Sequence, residues 1–124
     1  MFKRAIPKPT PDQQSRQDKC RAAGCIACKQ DGTYFIAWAA QIHPEIHHLT
    51  VSGRQIGQDA TVCLCSWHHR GICVPNARTS EMERLYGPSL AKGSKTFHAR
   101  YGSNDELLAY QAKVIGEEDA NLGS

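Results

Sequence analysis

EIHHLTVSGRQIGQDATVCLCSWHHRG, Glu45 to Gly71, holds two adjacent histidine pairs, His47–His48 and His68–His69. Within it EIHHLTV reads as a strand, SGRQIGQD as a loop with two glycines, and ATVCLC as a second strand rich in β-formers. SWHHRG begins a helix or helical turn, with Ser66 near its N-cap. Neighbouring residues on a strand point to opposite faces, so His47 and His48 take different tasks. One faces a metal held on the helix side, and the other approaches a water or substrate on the open side. His69, at the start of the following helix, is placed to supply a second metal ligand.

Outward from this stretch, Cys25-Ile-Ala-Cys28 is a C-x-x-C and Cys65-Ser-Trp-His68 a C-x-x-H of the same internal spacing. Two such knuckles can set four soft or borderline donors tetrahedrally about one Zn²⁺, closing the loop Lys29–Leu64 on the metal. The expected ligands are Cys25, Cys28, Cys65 and His68. Cys20 could substitute for one of them, Cys63 lies on the same strand face as Cys65, and Cys73 reads as an apolar filler or stray thiol.

The flanks carry less chemistry. Residues 1–14 are basic, hold Pro7, Pro9 and Pro11, and read as a flexible, extended arm. A short helix follows over about Ser15–Ala23, ending at Gly24. The apolar patch YFIAWAAQI, Tyr34 to Ile42, is assigned to core packing. SKTFHARYG has helical spacing with Gly102 as its stop. SNDELLAYQAKVIG is a helix with a Ser103/Glu106 capping box, apolar contacts from Leu107, Leu108, Ala112 and Ile115, and an end at Gly116. Residues 117–124 read as a disordered tail, which leaves 15–116 as the domain.

The bulk numbers agree with one small domain. Of 124 residues 40% are hydrophobic and only 7% aromatic, so something besides burial is expected to stabilise the fold. A net charge of +3 is mildly basic, compatible with nucleic acid without being diagnostic. No apolar run is long enough to span a bilayer and the N-terminus lacks a signal-peptide core, so the expected location is the cytoplasm. There, cysteines serve as metal ligands or free thiols rather than disulfides.

The layout strand–loop–strand–helix, with His-His on the first strand and His on the helix, resembles an HNH endonuclease of the zinc-stapled type. GCIACKQDG, the Glu45–Gly71 stretch, GPSLAKGSKTFHARYG and DELL together resemble the phage Ref family, the recombination-enhancement, RecA-dependent nucleases, over about Cys20 to Gln111. The resemblance implies a small α+β fold: a zinc-stapled ββα-metal (HNH) core with flanking helices. It implies a DNA endonuclease leaving 5′-phosphate, acting on RecA-coated DNA in the cytoplasm of a bacterial host. His47 would be a ligand of the catalytic ion, His48 the general base and His69 the other ligand. The middle polar position falls in the loop before ATVCLC; the usual Asn is absent, and Gln58 or Asp59 stands in. His98, in the segment like the family's later motif, is a candidate third ligand or phosphate contact.

A histidine titrating near neutrality can take a proton from water. A divalent ion can neutralise the phosphate and help the 3′ oxygen depart. The structural ion is read as Zn²⁺ and the catalytic one as Mg²⁺ or Mn²⁺. Two imidazoles hold Mg²⁺ weakly, so substrate phosphate would complete its shell. Arg54, Arg70, Lys95 and Arg100 are candidate DNA contacts, joined by Lys92 and by Lys3, Arg4 and Lys8 of the arm. The competing reading is a non-catalytic zinc module that binds DNA or a protein partner.

Overall fold

The structure, a computed structural model, describes residues 6–33, 40 and 42–122, with 117–122 as backbone only. Its first helix, α1 (Pro11–Ala23), starts at Pro11 rather than at Ser15. Two local effects move the start into the expected arm. Thr10 and Gln13 bond reciprocally as a capping box, and Pro11 loses nothing at a position where a backbone N–H would have no helical partner. The basic residues Lys3 and Arg4 lie outside the described residues. A short helix, α2 (Ile26–Asp31), follows, with Cys25 as its N-cap.

Two strands form the centre. β1 (Pro44–His48) pairs antiparallel with β4 (Thr61–Cys65), so that His47 faces Val62 and His48 faces Thr61. The expected strand Glu45–Val51 breaks after His48: its end, β2 (Thr50–Val51), pairs instead with β3 (Arg54–Gln55) from the expected loop as a second small hairpin. Its two-residue turn, Ser52-Gly53, has φ of 52° and 78°. Positive φ at both positions matches the twist of paired strands, and Gly53 takes it without strain. β4 is buried at every position, enclosed by α1, α2 and two later helices, α3 (Ser66–Arg70) and α6 (Asn104–Leu122). A two-stranded sheet leaves an edge exposed; here the Cys63 N–H on β4 donates to the buried Gln111 Oε1 of α6 at 2.7 Å.

Three more segments complete the chain: α4 (Thr79–Tyr86), a 3₁₀ turn (Leu90–Lys92) and α5 (Ser94–Tyr101), the last capped by Gly102 as expected. Nothing in the sequence reading anticipated α4. The Ser103/Glu106 capping box forms, each partner bonding the other's backbone N–H at 3.2 Å. Helix α6 does not stop at Gly116 but runs to Leu122. A helical glycine costs only about 1 kcal/mol, and Glu117, Glu118 and Ala120 beyond it are helix-compatible. The buried stripe of α6 is Leu107, Gln111 and Val114; Leu108 and Ile115 are half-buried and Ala112 is exposed. The N-cap of α3 is Cys65, whose Sγ accepts from the His68 N–H, and not Ser66.

Trp67, Phe97, Ile26, Leu64, Met82 and Leu107 are fully buried and join the helices to β4 in one core. Most of Tyr34–Ile42 lies outside the described residues; Ile42 is buried in the core and Ala40 packs against it. No described helix is long and apolar enough to cross a membrane.

Candidate functional site

Cys25, Cys28, Cys65 and His68 converge as a buried cluster, all four donor atoms within 4.8 Å of one another. α2 begins at Cys25 and α3 at Cys65, and each capping Sγ accepts the backbone N–H three residues on, Cys28 and His68. One knuckle therefore builds one helix start, and the two starts meet. His68 Nδ1 lies 3.5 Å from Cys25 Sγ, 3.5 Å from Cys28 Sγ and 3.1 Å from Cys65 Sγ; Cys28 and Cys65 sulfurs are 3.9 Å apart. With metal–sulfur bonds near 2.3 Å and metal–nitrogen near 2.0 Å, tetrahedral edges of about 3.6–3.8 Å are expected. The Cys₃His cluster could thus hold a metal such as zinc. It closes the chain from Lys29 to Leu64, a loop whose closure costs roughly 3 kcal/mol in chain entropy. Cys20 and Cys63 are buried outside the cluster and Cys73 is half-buried.

Groups around the cluster orient its one imidazole. His68 Nε2 donates to the Tyr86 carbonyl at 2.7 Å, which leaves Nδ1 with the lone pair that faces the sulfurs. The Tyr101 hydroxyl lies 3.0 Å from the same Nε2 and donates to Asp31 Oδ2 at 2.6 Å. Arg100 pairs with the other oxygen of Asp31 at 2.7 Å. Burial, then the Asp31 carboxylate, push the Tyr101 phenol up, so it stays a neutral donor. Trp67 Nε1 donates to the Gly87 carbonyl at 3.0 Å, and a Cβ at Gly87 would collide with the Tyr101 hydroxyl. Only glycine lets the chain pass this close.

Two other histidines, His47 and His69, meet on a different face of α3. Alternation along β1 turns Glu45 and His47 toward α3. The His47 and His69 rings stack at 5.0 Å with a tilt of 60°. His69 Nδ1 donates to Glu45 Oε1 at 3.0 Å, which leaves Nε2 as the nitrogen not engaged by Glu45. Arg70 grips the same carboxylate through Nε at 2.8 Å and through its terminal nitrogen. Those bonds, Arg70 first and His69 after burial's opposing effect, hold Glu45 below the usual carboxylate range. Burial first, then the charges of His69, His48 and His98, push His47 down to about 4, so it is neutral at physiological pH. His47 and His98 line a cleft of about 960 Å³ with Thr50, Val51, Ser94 and Asn104. His98 Nδ1 donates to the Gly102 carbonyl at 2.8 Å, which frees its Nε2. Among the described residues, no group of three His, Cys, Asp or Glu donors other than the Cys₃His cluster approaches as closely. His47 and His69 form a pair, and His98 lines the same cleft as His47.

His48 turns the other way. Its Nε2 lies 2.9 Å from Gln58 Oε1. Asp59, the other candidate for the middle position, is exposed and accepts from Gln13 Nε2 at 3.1 Å. Of the candidate DNA contacts, Arg54 and Lys95 are exposed, while Arg70 and Arg100 are held in ion pairs with Glu45 and Asp31. Sequence reading missed Glu45, although the strand period places it beside His47. It also missed Tyr86, Tyr101 and Asp31, which no local spacing connects to His68.

A family model described as recombination enhancement, RecA-dependent nuclease matches residues 9–116 of the chain. No curated protein and no solved structure matches.

Proposed function

This chain belongs to the recombination-enhancement, RecA-dependent nuclease family, and on that premise we propose that it is a metal-dependent DNA endonuclease of HNH type with His48 as general base. The observation that carries the reading is the arrangement around β1 and α3. The His47 and His69 rings come together at 5.0 Å, His47 lines a cleft, and the next residue, His48, is held separately by Gln58. The strand, hairpin, strand and helix order of β1 to α3 supports reading this segment as a ββα-metal unit of that class.

The donor chemistry fits one ion at His47 and His69. His47 stays neutral well below physiological pH and His69 offers Nε2, its other nitrogen fixed by Glu45. His98, which lines the same cleft as His47, offers Nε2 as third ligand or phosphate contact. When bound, Mg²⁺ or Mn²⁺ supplies charge neutralisation at the phosphate and the departing oxygen. His48 removes the proton from the attacking water, and Gln58 takes the middle position of the motif, orienting that base. Products carry 5′-phosphate and 3′-hydroxyl. Exposed Arg54 and Lys95 meet the phosphate backbone, and Arg70 and Arg100 serve chiefly to hold Glu45 and Asp31. Zn²⁺ at Cys25, Cys28, Cys65 and His68 is structural: four protein donors leave no open position. The substrate is DNA coated by RecA filament, as the family description suggests.

The test is plasmid cleavage with Mg²⁺ or Mn²⁺, with and without RecA filament, for the wild type and His48→Ala. Wild-type cutting that His48→Ala abolishes, with fold and zinc content retained, is the expected result. A folded, zinc-loaded wild type that cuts under no condition overturns the nuclease and leaves a zinc-dependent binding module.

A further inference from the structure

Gln17 lies on α1, more than forty residues from Gln58, and is 4% exposed. Its side-chain Nε2 donates to Gln58 Oε1 at 2.9 Å and to the Gln58 backbone carbonyl at 3.2 Å. Gln58 Nε2 in turn donates to the Pro7 carbonyl at 2.9 Å. A carbonyl only accepts, and an amide nitrogen such as Gln17 Nε2 only donates. These two neighbours therefore fix which end of the Gln58 amide is oxygen: flipping it would set oxygen against the Pro7 carbonyl and nitrogen against Gln17. With Oε1 thus directed at His48, the ring nitrogen 2.9 Å away must be the one that carries hydrogen. The surrounding loop is held by the same face of α1. Gln13 bonds Asp59 at 3.1 Å, and Arg16 bonds Thr61 Oγ1 at 2.8 Å and the Thr61 carbonyl at 3.1 Å.

We propose that Gln17 is a positioning residue: acting through the Gln58 amide, it fixes His48 in the tautomer protonated on Nε2, so that Nδ1 is the nitrogen that acts as base. The proposal deepens the nuclease reading and rests on it for the word base, but the tautomer itself is a property of the folded protein with or without activity. α1 and the Pro7 segment become part of the machinery rather than a scaffold beside it. A neutral imidazole free to exchange tautomers would present the wrong nitrogen for part of the time, which lowers turnover without weakening substrate binding.

The experiment uses the full, zinc-loaded chain with three variants: Gln17→Met, which keeps the volume and removes the donor; Gln17→Asn, whose amide is too short to reach; and Gln14→Ala on the exposed face of α1 as control. Long-range proton–nitrogen NMR at about pH 8, above the ordinary imidazole range, reads the His48 tautomer. Cleavage kinetics read kcat against KM. The wild type and Gln14→Ala should show one tautomer, protonated on Nε2. Gln17→Met should show a mixture, with kcat lowered about five- to tenfold, the worth of roughly one hydrogen bond, and KM unchanged. If Gln17→Met fails to fold, Gln17→Asn carries the same expectation. Wild-type tautomer and kcat in a folded Gln17 variant overturn the proposal, as does a wild-type His48 protonated on Nδ1. A tautomer shift in a protein that does not cut would uphold the Gln17–Gln58–His48 relay and sink the nuclease reading instead.

Discussion

His68 and His69 are consecutive residues of one short helix, and the regions they serve differ in every physical respect. His68 is fully buried, and both its nitrogens are engaged, one toward three sulfurs and one by the Tyr86 carbonyl. The His69 side chain is 25% exposed, with one nitrogen on Glu45 and the other free. The cysteine side has four converging donors and no vacant position; the other side has a pair of imidazoles, His47 and His69, with His98 lining the same cleft as His47. A saturated donor set suits holding chain segments together, and an unsaturated one suits exchanging ligands with substrate. The same residue type suits both under the proposed reading, because its surroundings decide which nitrogen is available.

The sharpest way to break this contrast is to remove one donor from each region. Cys28→Ser, or zinc removal by a chelator, should abolish cooperative thermal unfolding as read by circular dichroism. Structural zinc contributes about 10–16 kcal/mol in small domains, as much as a typical domain's whole stability. A Cys28→Ser protein that melts within a few degrees of wild type would mean the cluster is no staple. On the other face of β1 from His47, His48→Ala should leave Tm and zinc content unchanged while cleavage falls about a hundredfold to ten-thousandfold. Next in size, Glu45→Gln should raise the Mn²⁺ concentration needed for half-maximal cleavage about ten- to a hundredfold, with little change in Tm; an unaltered Mn²⁺ dependence would detach Glu45 from the ion.

Two smaller effects sharpen the comparison. His47 sits at about 4 in the folded chain against 6.5 for the free side chain. Between those values the unfolded chain binds the extra proton, so stability is complete above about 6.5 and is lost as pH falls toward 4. Urea melts at several pH values should show that slope shrinking in His47→Gln; an identical slope would mean that His47 does not titrate as described. Smallest of all, Tyr101→Phe removes the hydroxyl between His68 and Asp31 and should cost about 1 kcal/mol, with faster zinc loss to a chelator.

Much of this was legible from spacing alone. Two matched knuckles named all four cluster residues, because Cys-x-x-Cys and Cys-x-x-His encode a local turn that needs no distant information. The period of a strand separated His47 from His48 for the same reason. What could not be read depends on contacts between residues far apart in the chain. Gln58 and Asp59 are adjacent and both offer a side-chain oxygen to a histidine, and only the approach of α1 distinguishes the one that touches His48. Arg70 and Arg100 read as free cations because their partners, Glu45 and Asp31, lie many residues away. The start of α1 was a different kind of miss: the Thr10/Gln13 capping box is a local signal, obscured by the prolines around it.

The brevity of α3 carries an implication for how such chains can vary. The helix spans five residues between Cys65 and Gly71, and its consecutive rings diverge by about 100°. One inserted or deleted residue there would swing His69 away from His47 and Glu45 or His68 out of the cluster. Exchanges of side chain that keep the donor are survivable in principle, whereas any change of length is not. Across homologous genes, Cys65 to Gly71 should therefore be free of gaps even where its letters differ.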